Sequence, residues 1–300
     1  MYEDIKRNKF KTGIIVSIFL AVIALIVYYI CMAFDLGYIS IVIALIFSIA
    51  STFGSYYFSD KIVLAVNHAR PATPEENKQL INILEGLMVS SGLEYKPGLY
   101  VVDDPQPNAF ATGRNPKNAV ICVTTGLLEK LNYYELEGVV GHELGHIKNY
   151  DIRLSAVVSV MVGFIVMLSD WASRAIFWGR DRDDDDNKGN AILMILGLIC
   201  VIIAPIFGQL MQLALSRRRE YLADATSVEF TRNPDGLISA LEKLDSDTNQ
   251  LKTANNATAN MFIVDPFKSN LKDGKKRKTT SMFSTHPSIE DRVEAIKKLK

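Results

Sequence analysis

The chain has 300 residues, 49% of them hydrophobic and 22% charged, with a formal net charge of zero at neutral pH. That balance excludes a general nucleic-acid binder, which needs a basic surface, and three cysteines with no CxxC pair exclude a disulfide framework. The mean hydropathy of +0.13 is high for a soluble chain, so hydrophobic segments are the first question.

Residues 13–33 carry no charge over 21 positions, enough for a hydrocarbon core about 30 Å thick. The run is too long for a cleaved signal peptide and lacks a small-x-small exit. Lys6, Arg7, Lys9 and Lys11 precede it, and the loop 34–37 has no basic residue, so the N-terminus is expected on the cytoplasmic side. Residues 38–57 form a second uncharged segment, weakened in its latter half by Ser48, Ser51, Thr52 and Ser55. Two spans return the chain to the cytoplasm for residues 58–151.

In that stretch Thr73, Pro74 and Glu76 predict a helix start, with an amphipathic helix reaching about Ser90. Residues 99–102 and 119–124 are short β-rich runs, and "NAFATG" at 108–113 reads as a further short or edge strand. A helix from roughly Tyr133 meets no Pro or Gly between His146 and Met161, so it is expected to run on into a third hydrophobic segment, 154–178. A fourth covers 191–215. The connection between them holds Arg174, Arg180, Arg182 and Lys188 beside the acidic run 183–186. Segments three and four either span the bilayer or form a shallow or buried hairpin. Residues 216–230 read as helix, and Asn233 with Pro234 opens another to about Leu244. The stretch 248–260 is polar and breaker-rich. The basic run 272–278 is a solvated loop or a contact for anionic lipid. A last helix has Pro287 in its first turn.

The chain therefore divides into a transmembrane hairpin (1–57), a first soluble half (58–153), a hydrophobic helical pair (154–215) and a second soluble half (216–300). The expected class is a mainly α membrane protein. Four hydrophobic helices accompany a cytoplasmic α+β domain with a small β-sheet.

The chemistry sits at His142, Glu143 and His146, an H-E-x-x-H pattern in a chain with four histidines. Positions i and i+4 share one helix face, about 6 Å apart along the axis, so both imidazoles can reach one ion. Glu143 lies beside that face, placed to take a proton from a water. Zinc suits such a site because it acidifies water and polarises a carbonyl. A metzincin would need Gly and His where Asn149 and Ile152 stand, so the third ligand must come from elsewhere. Taken alone, Glu220 and Asp224 read as surface charges near 217–219. With the H-E-x-x-H pattern present they read as a zinc ligand and a carboxylate that fixes a ligand histidine's tautomer.

"VVGHELGHIKNYD", "SRRREYLADA" and "STHPSIEDR", in that order around a hydrophobic pair, resemble the HtpX-type membrane zinc endopeptidases, relatives of the CAAX prenyl protease. The resemblance implies a zincin-like protease domain with catalytic halves 58–153 and 216–300, one zinc ion held by His142, His146 and Glu220, and Glu143 as general base. It further implies that His286 donates to the oxyanion and that Asn108 holds a peptide added as a strand beside Phe110. Arg292 is expected to orient nearby carboxylates. The implied enzyme sits in the bacterial inner membrane and cuts membrane-protein or unfolded polypeptide substrates at the cytoplasmic face in a stress response. Two rivals are a C-terminal processing protease for lipidated proteins and a non-catalytic membrane scaffold. Whether the chain forms a homo-oligomer is left open.

Overall fold

A computed structural model describes residues 2–33, 37–161, 163, 217–247, 249, 251, 258–264, 266 and 287–300. Hydrophobic segment four, segment three beyond residue 163, most of the loop 248–260, the basic run 272–278 and His286 lie outside the described residues.

Helices α1 (Tyr2–Ala33) and α2 (Ile39–Tyr57) pack against each other. Each holds 19 residues (Phe10–Tyr28 and Ile39–Tyr57) long and apolar enough to cross a membrane. In α2, Ser40, Ala44, Ser48 and Thr52 are buried, and their spacing of four sets small side chains in one stripe. Such stripes let two backbones approach where lipid offers no hydrophobic contrast. The other faces of α2 expose Ile41, Val42, Ile46, Phe47 and Phe53. Helix α3 (Ser59–Val66) follows after a bend at Phe58.

The rest of the described chain is mostly helical around one small mixed sheet. Strands β1 (Arg70–Pro71), β2 (Gly98–Val102), β3 (Ala109–Thr112) and β4 (Val120–Thr124) stand in the order β1-β2-β4-β3. β2 and β4 are parallel; β3 runs antiparallel to β4, with Phe110 opposite Cys122, and forms one edge. The expected edge strand is therefore present, while β1, two residues long, carries too little pattern to be read in advance. Helix α4 (Lys78–Ser91) starts later than expected. Thr73 Oγ1 does accept from the Glu76 amide, but the turn this closes precedes the regular helix, which begins after Asn77. After the short α5 (Thr125–Lys130), the central helix α6 (Tyr133–Lys148) opens on a reciprocal capping box. Asn132 accepts from the Glu135 amide, and Glu135 accepts from the Asn132 amide.

Helix α6 does not continue into the third hydrophobic segment. Tyr150 takes φ of 60°, and helix resumes only at residues 151–161. A non-glycine residue in that region costs roughly 1–2 kcal/mol, so something must hold it. The site explains what does. Residues 151–161 then run into the interior, with Ile152, Leu154, Val158 and Met161 all buried.

Helices α7 (Arg217–Thr231), α8 (Pro234–Asp245) and α9 (Ile289–Lys297) complete the described chain. Ser288 caps α9, so Pro287 precedes its first turn. The core joins Leu80, Ile83 and Leu84 of α4 with Val101 and Ile121 of the sheet. Leu136, Val140 and Leu144 of α6 and Leu237 and Leu241 of α8 close it.

Candidate metal centre and active site

α6 and α7 lie close enough to share a site because α6 presents glycines to α7. A Cβ on Gly141 would stand 2.9 Å from Ser227 Oγ, and one on Gly145 would stand 3.2 Å from Ala223 Cα. That approach sets Glu220 opposite the two histidines. Ligand atoms of His142, His146 and Glu220 all lie within 4.8 Å of one another. His142 Nε2 is 3.7 Å from Glu220 Oε2, and His146 Nε2 is 3.6 Å from Glu220 Oε1.

The outward ring nitrogens face carboxylates. His142 Nδ1 stands 2.9 Å from Asp224 Oδ1, and His146 Nδ1 stands 3.1 Å from Asp151 Oδ2. Both Nδ1–H groups are thereby assigned as donors, which turns both Nε2 atoms inward, 3.1 Å apart. Asp151 also accounts for the broken helix. Five residues along a straight helix turn about 140° beyond a full circle, which would aim residue 151 away from His146. The left-handed Tyr150 brings it back.

Asp224 is held in turn. Arg292, fully buried, donates Nε to its Oδ2 at 2.9 Å and Nη2 to its Oδ1 at 2.6 Å. Arg292 Nη1 is 3.8 Å from Glu220 and donates to the Ile263 carbonyl at 3.3 Å. Arg219 Nη1 stands 3.8 Å from Asp151. Asp151 and Arg219 were not singled out from the sequence. Asp151 lies five residues past His146, off the expected helix face, so only the break reveals it.

Electrostatics follow from this burial. Burial pushes the Glu143 carboxyl up to about 7, against the opposing pull of His146. The Ala111 backbone of edge strand β3 faces the same carboxylate and pulls in the same direction as His146. Burial lowers His142 to about 4 despite Asp224. Burial also opposes a charge on His146, but Asp151 and then Glu220 outweigh it and raise the group to about 9. With His146 charged, its Nε2 can donate to His142 Nε2, 3.1 Å away, at the point where the three donor atoms converge.

The donor set fits a divalent cation. Four carboxylates (Glu143, Asp151, Glu220 and Asp224) face two guanidinium groups (Arg219 and Arg292) around imidazoles that can be neutral. With all four carboxylates ionised and both imidazoles neutral, the cluster carries an excess of two negative charges, which one divalent ion offsets. Two imidazole nitrogens and a carboxylate oxygen, with the outward nitrogens held by carboxylates, form a set that zinc accepts.

Asn108 and Phe110 lie beside this centre but are buried, at 0% and 1% exposure, against the chain's own residues 262–264. The structure thus brings together His142, Glu143, His146, Glu220, Asp224 and Arg292, with Asn108 and Phe110 on the adjoining edge.

The sequence profile of peptidase family M48 matches residues 74–300. The protease HtpX homolog of Dictyoglomus thermophilum is 44% identical over 296 residues, covering 99% of this chain and 94% of that one. The homologs of Streptococcus gordonii (40% over 307 residues) and Listeria monocytogenes (39% over 315 residues) are covered over all of both chains. The crystal structure of Ste24p from S. mikatae aligns with 95% of this chain and 65% of its own, with a TM-score of 0.49 and 18% identity. The chain belongs to peptidase family M48 and is a membrane-bound metallopeptidase.

Proposed function

We propose that this M48 peptidase is a zinc endopeptidase that cuts misfolded or damaged membrane proteins at the cytoplasmic face of a bacterial plasma membrane, as part of a stress response. The convergence of His142, His146 and Glu220 beside Glu143 is the observation that carries the reading. Bound by those three residues, zinc would acidify water and polarise the scissile carbonyl. Glu143, poised near neutrality, takes the proton of the attacking water and returns it to the leaving amine. Asp224 and Asp151 hold the imidazoles in the ligating tautomer, and Arg292 keeps Asp224 in place. His286 is the proposed donor to the developing oxyanion. Helices α1 and α2 anchor the enzyme, with the basic residues in the first three turns of α1 setting the N-terminus inside. A substrate strand pairs along β3, which suits tolerance of many sequences.

The test is Glu143→Gln, purified in detergent with added zinc and assayed on casein. Cleavage should fall about 10²–10⁴-fold while zinc content stays at the wild-type level. Wild-type cleavage in that variant removes the base role. Unchanged zinc in Glu220→Ala removes the third ligand.

A further inference from the structure

The edge of β3 beside Glu143 is already paired, and its partner is this chain. The Ile263 amide donates to the Ala109 carbonyl at 2.9 Å. Asn108 Nδ2 donates to the Val264 carbonyl at 2.8 Å, and Asn108 Oδ1 accepts from the Val264 amide at 3.3 Å. The Phe262 ring meets Phe110 edge to face, with centroids 5.0 Å apart. Residues 262, 263 and 264 thus face 110, 109 and 108, so the segment runs antiparallel to β3, as an added strand would.

The same segment walls the catalytic cavity. Met261, Phe262 and Ile263 line it together with His142, Glu143, His146 and Glu220, and its volume is about 20 Å3. That holds about one water and no peptide. The other described lining residues belong to β3, α6, α7 and the helical stretch 151–161, all fixed in regular structure. Residues 262–264 belong to neither helix nor strand. A peptide reaching Glu143 along β3 therefore has one described wall that can yield.

We infer that residues 261–264 are a built-in competing strand that occupies the substrate edge of β3 and is displaced when a substrate segment pairs there. The segment reads Met-Phe-Ile-Val, and all four residues are buried. Exposing them is costly, so an incoming chain must refill the same places. The ring contact on Phe110 selects a large apolar side chain where Phe262 stood. Extended apolar polypeptide, such as an unfolded membrane segment, displaces the strand; polar or folded chains do not. This rests on the peptidase reading above and adds a mechanism that keeps the site closed to polar chains.

Two measurements on the full-length protein in detergent test it. The first follows hydrogen exchange at the Ile263 amide in zinc-loaded Glu143→Gln, with and without saturating casein. Protection of that amide should be lost when casein is added. Protection that persists or increases overturns the inference, as does a lack of any response at any casein concentration. The second compares casein cleavage by wild type and Phe262→Ala at equal zinc content. Weakening the competing strand should raise kcat/KM about tenfold, because less of the enzyme is closed. An equal or lower value in Phe262→Ala, with Ile263→Pro behaving the same way, overturns it. If casein releases the Ile263 amide but no form cleaves it, the peptidase reading fails and the competing strand stands. Cleavage with the amide still protected has the opposite meaning.

Discussion

The α1–α2 pair and the α6–α7 pair both bring two helices together through small residues, yet they bury opposite chemistry. In α2 the buried stripe is Ser40, Ala44, Ser48 and Thr52, and the outer faces carry Ile, Val and Phe. Its hydroxyls do not bond across the pair: Ser48 Oγ donates to the Leu45 carbonyl of its own helix at 3.0 Å, and Ser40 Oγ and Thr52 Oγ1 meet no hydrogen-bond partner among the described residues. In α6 the small residues are Gly141 and Gly145, and what the close approach buries is His142, Glu143, Glu220 and Asp224. There each polar group depends on a partner from another element. A stripe of small side chains thus sets helix distance in both pairs, and the lining decides how much one substitution costs.

The sharpest way to break the comparison is to remove a partner from the charged lining. Arg292→Met strips Asp224 of two hydrogen bonds at 2.6 and 2.9 Å and leaves a buried carboxylate without its cation. Stability should fall by about 3–5 kcal/mol. Ser48→Ala in the hairpin should change it by less than about 0.5 kcal/mol, since that hydroxyl bonds its own helix. Thermal unfolding of both variants in the same detergent measures the contrast, and equal losses would dissolve it.

The spacing itself can be attacked next. Gly145→Ala places a methyl 3.2 Å from the Ala223 backbone, closer than ordinary van der Waals contact. A forced helix shift costs about 1–3 kcal/mol and draws Glu220 away from the histidines. The expected result is a lower melting temperature with reduced zinc content. Full zinc retention at wild-type stability would show that α7 tolerates the shift.

A third prediction sharpens the electrostatic side. His146 is raised to about 9, so below that pH a cation entering the three-donor site must displace one proton. Zinc affinity should therefore fall about tenfold per pH unit as pH drops below 9, and level off above it. Competition with a chelator across pH 6–10 reads the slope. A flat profile would mean that His146 is neutral there, and that Asp151 and Glu220 do not outweigh burial in holding its proton.

Much of this was legible in the sequence, and what was missed has a common cause. H-E-x-x-H, the distal Glu220 with Asp224, the edge strand at 108–113 and the apolar runs of α1 and α2 all have local periodicity or spacing to read. The break at Tyr150 has none: no Gly or Pro marks it, because a bond from His146 to Asp151 stabilises it. The stretch 261–264 likewise lies past a polar loop and gains its meaning only from Asn108, 156 residues away from Val264. Local pattern reports what a segment can become. Long-range hydrogen bonds decide where a strained residue or an unpaired edge is used.

The smallest effect tests the far end of α6, where a charge is buried without chemistry. Glu135 accepts from the Asn132 amide at 2.9 Å, from Ser239 Oγ at 2.6 Å and from Lys243 Nζ at 2.7 Å, so one carboxylate caps α6 and fastens α8. Burial alone would raise its pKa, but Lys243, Ser239 and the Asn132 amide outweigh burial and hold it below the usual value. A depressed folded pKa stabilises the protein above the unfolded carboxylate value of about 4.3, and that contribution disappears as pH falls through the folded pKa. Glu135→Gln keeps the shape and loses the charge, at a cost of about 1–2 kcal/mol at pH 7. The gap between wild type and variant should persist down to about pH 4.3 and close below it. A gap that is the same at pH 7 and pH 3 would mean that the amide loses hydrogen-bond geometry alone, and that charge on Glu135 adds nothing to the α6–α8 junction.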